Sequence, residues 1–207
     1  MLACFVGAPI SGKTTTAARL FADLKEQGLP VEILTEHART YIAHKRFFQR
    51  ENFKYLTDSD QAAIFEEQAQ HEAILSWDPS SIVIADSSAI SALLYMTDEF
   101  IAQSAKVVTE YGVSNIIDRA RECAKHYDIV FRCAPIRPGV NYGANDHNRI
   151  HSFEQSVELD KRIDFIFDTV RLDRSKVYPL FGDPKFRVSE ASAIVMRAVV
   201  ENLKKAM

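Results

Sequence analysis

The stretch Gly7–Thr14, "GAPISGKT", decides the fold of this chain. It satisfies the pattern G-x-x-x-x-G-K-[ST], with an apolar run before it and a helix-period segment after it. The glycines let the backbone curl so that successive N–H groups face a phosphate, and the helix that follows adds the positive end of its dipole. Lys13 is expected to reach the β- and γ-phosphates of a nucleotide, and the Thr14 hydroxyl to ligate Mg²⁺. The candidate phosphate-binding residues are Gly7, Ala8, Pro9, Ile10, Ser11, Gly12, Lys13, Thr14 and Thr15.

Five short apolar runs follow the pattern of buried strands. They are "LACFV" (2–6), "VEILT" (31–35), "SIVIA" (81–85), "DIVFRC" (128–133) and "KVYPL" (176–180). Helix-period segments separate them, at 13–27, 58–77, 153–171 and from Ser189 to about Lys204. This alternation predicts an α/β fold of three layers, with a parallel sheet covered by helices on both faces. In such sheets ligands bind beyond the carboxyl ends of the strands.

Two of the helices carry a more detailed pattern. Asp58 and Gln61 resemble a capping box at the start of 58–77, and Phe65, Ala69, Ala73 and Trp77 fall on one face. In 153–171 an apolar side is predicted at Phe153, Val157, Ile163, Phe167 and Val170. Both helices are therefore expected to pack on the sheet.

Length and composition favour one ordinary globular domain over residues 1–207. The chain is 47% hydrophobic and 26% charged, and its formal net charge of −3 argues against wholesale binding to nucleic acid or membranes. Its three cysteines are scattered and fit neither a zinc site nor a disulfide framework. With no leader or membrane-spanning run in this sequence, we expect a cytoplasmic protein.

Two strand ends carry charged side chains suited to a phosphoryl-transfer site. "IVIAD" ends in Asp86, where a carboxylate can hold the shell of Mg²⁺ or accept a proton from an attacking hydroxyl. "TEHARTY" places Glu36, Arg39 and Tyr41 after the second strand, where they can contact an acceptor hydroxyl and a phosphate or ring. A capped helix with a surface ion pair is the alternative interpretation of this second element.

Two loops add further candidates. Residues 134–152 form a connection long enough to be a lid, and Arg137 and Arg149 within it can neutralise a transferring phosphoryl group. The alternative is a mobile loop with solvated arginines. The turn "FGDPKF" (181–186) either lies along an adenine or simply precedes the last helix.

In this order, the elements resemble the P-loop ATPase/kinase family that includes the nicotinamide riboside kinase domain of NadR-type proteins. The resemblance rests on the phosphate loop, Glu36-x-x-Arg39-x-Tyr41, the helix "DSDQAAIFEEQAQHEAIL" (58–75), Asp86, and Asp146-x-x-Arg149. It implies a five-stranded sheet of order 2-3-1-4-5 with a lid, and ATP- and Mg²⁺-dependent phosphorylation of a nucleoside-like hydroxyl compound. Lys13, Asp86, Glu36 and Arg149 would be catalytic, Thr14 and Asp86 would hold the metal, and Glu36, Arg39, Tyr41, Asp86 and Arg137 would face the acceptor.

The sequence departs from that family at two points. Ser87 stands where many relatives have an arginine, and 38–57 looks like an expanded segment on the acceptor side. Within it, "HKRFFQRENFKY" (44–55) interleaves basic and aromatic residues, as surfaces that bind single-stranded nucleic acid do. We favour a helix flanking the acceptor pocket.

Three hypotheses follow. The first is a small-molecule nucleoside kinase, with Glu36 or Asp86 as the base. The second is a kinase for a hydroxyl of nucleic acid, and the third is an ATP-binding regulatory module that transfers nothing. The oligomeric state is left open, with a homodimer among the alternatives.

Overall fold

A computed structural model describes residues 1–49, 55–102, 106–109, 112–136 and 152–206. Its main sheet has five parallel strands in the order β2-β3-β1-β6-β7. An antiparallel pair, β4 and β5, lies apart from this sheet. The strands are β1 (Leu2–Val6), β2 (Val31–Leu34), β3 (Ile82–Ala85), β4 (Lys106–Thr109), β5 (Gly112–Asn115), β6 (Ile129–Cys133) and β7 (Val177–Leu180). All five predicted strands are confirmed to within a residue or so, and their order is the expected 2-3-1-4-5.

Helices cover both faces of the sheet, giving the expected three layers. They are α1 (Lys13–Glu26), α2 (His37–Gln49), α3 (Asp58–Leu75), α4 (Asp98–Ala102), α5 (Ile116–His126), α6 (Phe153–Lys161), α7 (Ile163–Thr169) and α8 (Pro184–Ala206), with 3-10 turns at Ala89–Tyr95 and Arg174–Lys176. One apolar core joins the sheet to α3, α5, α7 and the 3-10 segment, and a second joins it to α1 and α8. In the described part of the chain no helix has the length and apolar character needed to span a membrane.

The register of the sheet brings the ends of three strands together. Leu34 on β2 and Cys4 on β1 both pair with Ala85 on β3. The backbone N–H of Asp86 continues this ladder by donating to the Leu34 carbonyl at 2.9 Å. The residues after β2 and β3 therefore emerge side by side, next to the loop that follows β1.

Helix α3 differs from the prediction at both ends. Thr57 and Asp60 form its capping box, one residue before the predicted pair, because the Thr57 side chain accepts from the Asp60 N–H. Phe65 and Ala69 are buried as predicted, but Ala73 is exposed and Trp77 is 87% exposed. The helix ends at Leu75, which still packs on the core, so Trp77 lies beyond the helix and off its buried face.

The interior face of α3 is partly polar. Its buried residues include Gln61, Gln68 and Glu72 as well as Ile64 and Phe65. Because burying a polar group is costly unless it is hydrogen-bonded, each of these residues needs a partner inside the molecule. This face lies against the end of β3 and the 3-10 segment.

The predicted helix 153–171 is two helices, α6 and α7, that meet at Arg162. The Arg162 guanidinium donates to the carbonyl oxygens of Leu94 at 3.0 Å and Met96 at 2.9 Å. Ile163, Phe167 and Val170 are buried as predicted, while Phe153 and Val157 are half-buried. The last helix begins at Pro184 rather than Ser189, since Asp183 accepts the first helical N–H groups.

Candidate active site

The backbone of the loop 7–12 requires its two glycines. A Cβ at Gly7 would lie 2.7 Å from both the Cys133 carbonyl oxygen and the Ser11 Oγ. Gly12 has φ +76°, and a Cβ there would lie 2.9 Å from Ile136 Cδ1 and from Pro184 Cγ. The loop is therefore confined between the end of β6 and the start of α8, so its N–H groups are held in a fixed arrangement.

A β-branched residue in this loop adopts an uncommon conformation. Ile10 has φ +64°, in the left-handed region, where a residue with a Cβ costs roughly 1–2 kcal/mol. The backbone N–H of Ile136 donates to the Ile10 carbonyl at 3.4 Å. Strain of this kind is typical of loops whose shape is imposed by their surroundings.

Lys13 lies across the loop that precedes it. Its Nζ donates to the carbonyl oxygens of Gly7 at 2.8 Å and Ala8 at 3.2 Å. Thr14 follows at the exposed rim, while Thr15 is half-buried in the first turn of α1. The positive end of that helix and the Lys13 ammonium are therefore on the same side of the loop.

Asp86 lies at the end of β3, facing the loop. It is 3% exposed, and its Oδ1 has no hydrogen-bond partner among the described residues. Burial raises the pKa of this carboxyl, and the nearby Glu36 carboxylate raises it further. Lys13, a hydrogen bond with the Thr14 side chain, and Arg39 act in the opposite direction. A buried, incompletely paired carboxylate beside a lysine is an arrangement typical of functional sites.

Glu36 and Arg39 form an ion pair near Asp86 and Thr14. The Arg39 Nε is 3.4 Å from Glu36 Oε2, and its Nη2 donates to the Thr14 hydroxyl at 3.5 Å. The ion pair is partly exposed, with the Glu36 side chain the less exposed of the two. The structure thus brings Lys13, Thr14, Glu36, Arg39 and Asp86 together at one edge of the sheet.

Tyr41 points toward the start of α3 instead. Its hydroxyl donates to Asp60 Oδ1 at 2.7 Å, and the Lys45 Nζ is 2.7 Å from the same oxygen. Although burial acts in the opposite direction, hydrogen bonds from Lys45, Thr57 and Tyr41 hold the pKa of Asp60 well below its usual range. Tyr41 and Lys45 therefore help to join α2 to α3.

A glutamine that the sequence analysis did not single out connects this site. The Gln68 Oε1 accepts the N–H of His37 at 3.0 Å, and its Nε2 donates to the carbonyl of Ser87 at 2.9 Å. The start of α2 and the end of β3 are therefore both held by one buried side chain. The polar residues at 61, 68 and 72, spaced like one helix face, were the available signal.

Arg187 is the second residue that was missed. It is 1% exposed, and its guanidinium donates to the Ser11 carbonyl and, at 2.8 Å, to the Ala134 carbonyl. It joins the phosphate loop, the end of β6 and α8. Its position just after the turn "FGDPKF" gave no hint of burial, because lone arginines are seldom buried.

Several predicted site residues do not belong to the part of the chain that the structure describes. Arg137 and Arg149, with most of the proposed lid at 134–152, lie outside the described residues, as does the part of 38–57 at residues 50–54. The turn at Gly182 has φ +78°, and the aromatic rings flanking it, Phe181 and Phe186, are exposed. Two exposed rings near the loop are compatible with the predicted contact to an adenine.

Comparison with known proteins agrees with the fold. No curated protein matches the chain in sequence. Among solved structures, NadR protein in complex with NR aligns with a TM-score of 0.63 at 17% identity, covering 95% of this chain and 50% of that one. NadR protein in complex with NAD and AMP-PNP aligns with a TM-score of 0.59 at 19% identity, covering 95% and 48%.

These similarities establish the fold, and this chain spans about half the length of those NadR chains. The predicted resemblance to a NadR-like P-loop domain is confirmed. Residues 2–177, most of the chain, match the profile of the AAA domain family. The chain therefore belongs to the AAA domain family of P-loop proteins.

Proposed function

We propose that this chain is an ATP- and Mg²⁺-dependent kinase that transfers the γ-phosphoryl group to a hydroxyl of a nucleoside-like small molecule. The observation that carries the proposal is Asp86, a buried carboxylate near Lys13, Thr14, Glu36 and Arg39. One of its oxygens has no hydrogen-bond partner within the described part of the chain. The ligands named for the similar NadR structures, NR, NAD and AMP-PNP, support this choice of substrates.

The residues at the loop fit a magnesium ion. Mg²⁺ prefers hard oxygen ligands, and the Thr14 hydroxyl and the orphaned Asp86 Oδ1 are of that kind. A cation there would also offset the burial that raises the pKa of Asp86. We assign Thr14 and Asp86 to hold the ion, which when bound neutralises charge on the phosphates.

The remaining side chains divide into a phosphate side and an acceptor side. Lys13 and the loop N–H groups bind the β- and γ-phosphates, while Arg39 orients the transferring group from the far side. Because Asp86 is committed to the metal, we assign Glu36 as the carboxylate that accepts the proton of the attacking hydroxyl. Arg137 and Arg149 are proposed to supply further positive charge to the transferring phosphoryl group.

The test is ADP release from ATP with a panel of nicotinamide riboside, common nucleosides and nucleoside monophosphates. We expect at least one nucleoside-like acceptor to raise ADP release well above the rate with water alone. Lys13→Ala is the control and should abolish the stimulated rate. If no acceptor stimulates the wild-type protein, the kinase proposal is wrong and a regulatory ATP-binding module is favoured.

The nucleic-acid hypothesis rested on the basic and aromatic residues at 44–55. Lys45 is engaged within the molecule, since its Nζ is 2.7 Å from Asp60 and 5.6 Å from the centre of the Tyr41 ring. This contact favours a structural role for that lysine. A 5′-hydroxyl oligonucleotide therefore belongs in the acceptor panel, with transfer of label from ATP as the measurement. If the oligonucleotide is labelled, and the label is lost when Lys45, Arg46 and Arg50 are changed to Glu, a nucleic-acid acceptor is favoured over a small molecule.

Arg187 provides a prediction about the phosphate loop. We expect Arg187→Met to weaken nucleotide binding by about tenfold and to lower the free energy of unfolding by about 1–3 kcal/mol, because two buried carbonyls lose their donor. Titration with a fluorescent ATP analogue and urea unfolding measure the two effects. Arg197→Met, an exposed change on the same helix, is the matched control. Equal affinities for the Arg187 and Arg197 variants would contradict the assigned role.

A further inference from the structure

Three side chains of metal-ligating type meet where α2 packs on α3. His37 is the first residue of α2, and Glu67 and His71 lie one turn apart on α3. One ligand atom from each lies within 4.8 Å of the other two. None of these side chains was used in the assignments above.

Their arrangement differs from an ordinary surface pair. The His71 Nε2 is 3.4 Å from Glu67 Oε1, which alone is a common contact between residues four apart on a helix. His37 adds a second imidazole from a different helix, edge-on to the first, with ring centres 5.9 Å apart. Two histidines and a carboxylate converging from two elements are the ligand set of many zinc sites.

The distances suit a small tetrahedral ion. Zinc bonds of about 2.0–2.2 Å place the ligands of a tetrahedral site about 3.4 Å from one another. The Glu67–His71 distance already has that value, and rotation of the side chains can bring His37 closer. The side chains of His71 and Glu67 are 42% and 48% exposed, so a water molecule can fill the fourth position.

We propose that His37, Glu67 and His71 bind a divalent transition metal ion of the zinc class, and that this ion fastens the start of α2 to α3. Imidazole ligands favour such ions over Mg²⁺, which prefers oxygen and near-octahedral geometry. The site is therefore chemically distinct from the one assigned to Thr14 and Asp86. Metal binding here does not depend on the proposed kinase activity.

The location gives the ion a positioning role. His37 directly follows Glu36, and its N–H is already bonded to Gln68 on α3. A metal bond from the His37 ring would add a side-chain link at the start of α2, beyond those that Tyr41 and Lys45 make to Asp60. Glu36 and Arg39 flank this link in the sequence, so the ion would restrict the part of the chain that carries them.

The experiment uses the full chain, freed of metal by a chelator and kept in excess Mg²⁺. Zn²⁺ is titrated by calorimetry, and Co²⁺ by the visible absorption that tetrahedral nitrogen ligation produces. We expect one site, a higher Tm with Zn²⁺, and at least a tenfold loss of affinity in His71→Ala and in Glu67→Gln. The double variant H37A/H71A should lose the Co²⁺ absorption altogether.

His126→Ala is the matched control, because His126 is an exposed histidine at the end of α5 and does not belong to the cluster of His37, Glu67 and His71. It should bind Zn²⁺ as the wild type does. Circular dichroism in chelator checks that each variant is folded. The proposal is wrong if H37A/H71A keeps the wild-type affinity for Zn²⁺. It is also wrong if His126→Ala loses as much affinity for Zn²⁺ as His71→Ala does.

Discussion

Asp86→Asn is expected to lower the acceptor-stimulated release of ADP on the order of 10³-fold, the scale seen when a charged group is removed from a preorganised site. The substitution preserves the shape of the side chain but replaces the charged carboxylate by a neutral amide, which is a poor ligand for Mg²⁺. Because the lost ligand is assigned to the metal, activity should also require a higher Mg²⁺ concentration. Steady-state rates across a Mg²⁺ series measure both effects.

The same change should not damage the fold. Burial raises the pKa of Asp86, so its charge destabilises the folded state once the pH exceeds the ordinary aspartate range. Asn removes that charge, and we expect the variant to melt at or above the wild-type Tm at pH 7.5. Asp78→Asn, in the exposed turn before β3, is the control for activity. Activity within severalfold of wild type in Asp86→Asn would refute the assigned role.

A parallel Glu36→Gln variant distinguishes the role of Glu36 from that of Asp86. If Glu36 accepts the proton, its loss should lower kcat without altering the Mg²⁺ requirement. If instead the Mg²⁺ requirement rises in Glu36→Gln and not in Asp86→Asn, the two assignments are reversed. The comparison is informative because the structure holds both side chains beside Thr14 and Arg39.

Glu72→Gln is expected to stabilise the protein above neutral pH by about 3 kcal/mol, or a Tm rise of roughly 6–12 °C for a chain of this size. Glu72 is buried, and its two oxygens accept from the Ala89 N–H at 2.7 Å and the Tyr127 hydroxyl at 3.0 Å. Burial raises its pKa from 4.5 to about 7, even though these hydrogen bonds act in the opposite direction.

The sign follows from proton binding. Between pH 4.5 and about 7 the folded chain keeps a proton on Glu72 that the unfolded chain has lost, so stability falls as the pH rises through that window. Gln imitates the protonated acid and removes this contribution. Thermal unfolding of the wild type and of Glu72→Gln should give the same Tm at pH 4 and a higher Tm for the variant at pH 8. The control Glu190→Gln, on the exposed side of α8, should not change the Tm at either pH. If Glu72→Gln changes the Tm equally at both pH values, the explanation is wrong.

The sheet was predictable because its signals are local. Each predicted strand is a short apolar run, the three central strands β3, β1 and β6 are almost wholly buried, and "GAPISGKT" identifies the first strand and the first helix. The predictions that were wrong concern features that depend on the packing of the whole chain. The two halves of one predicted helix meet at Arg162, whose side chain bonds to Leu94 and Met96, far away along the chain. Trp77 is exposed because α3 ends at Leu75, two residues before the predicted end, which periodicity alone does not reveal.

Part of the candidate site was predictable for the same reason. Lys13, Glu36, Arg39 and Asp86 each follow a strand, and the carboxyl ends of parallel strands meet at one edge. Arg187 was not predictable, and Gln68 was missed although its helix-face spacing with Gln61 and Glu72 was a signal. Their roles depend on being buried against Ser87 and Ser11, and polar residues in helices are usually exposed.

The resemblance to a known family implied the order of the strands. By itself the sequence determined the phosphate loop, the parallel strands and the carboxylates available at the strand ends. Those features follow from glycine placement, hydrophobic runs and topology, which act over a few residues or obey general rules of chain connection. Only the tertiary structure decided that Asp86 is buried with a free oxygen and that Arg39 reaches Thr14. It alone brought His37 to Glu67 and His71, because such distances are set by how whole helices pack on the sheet.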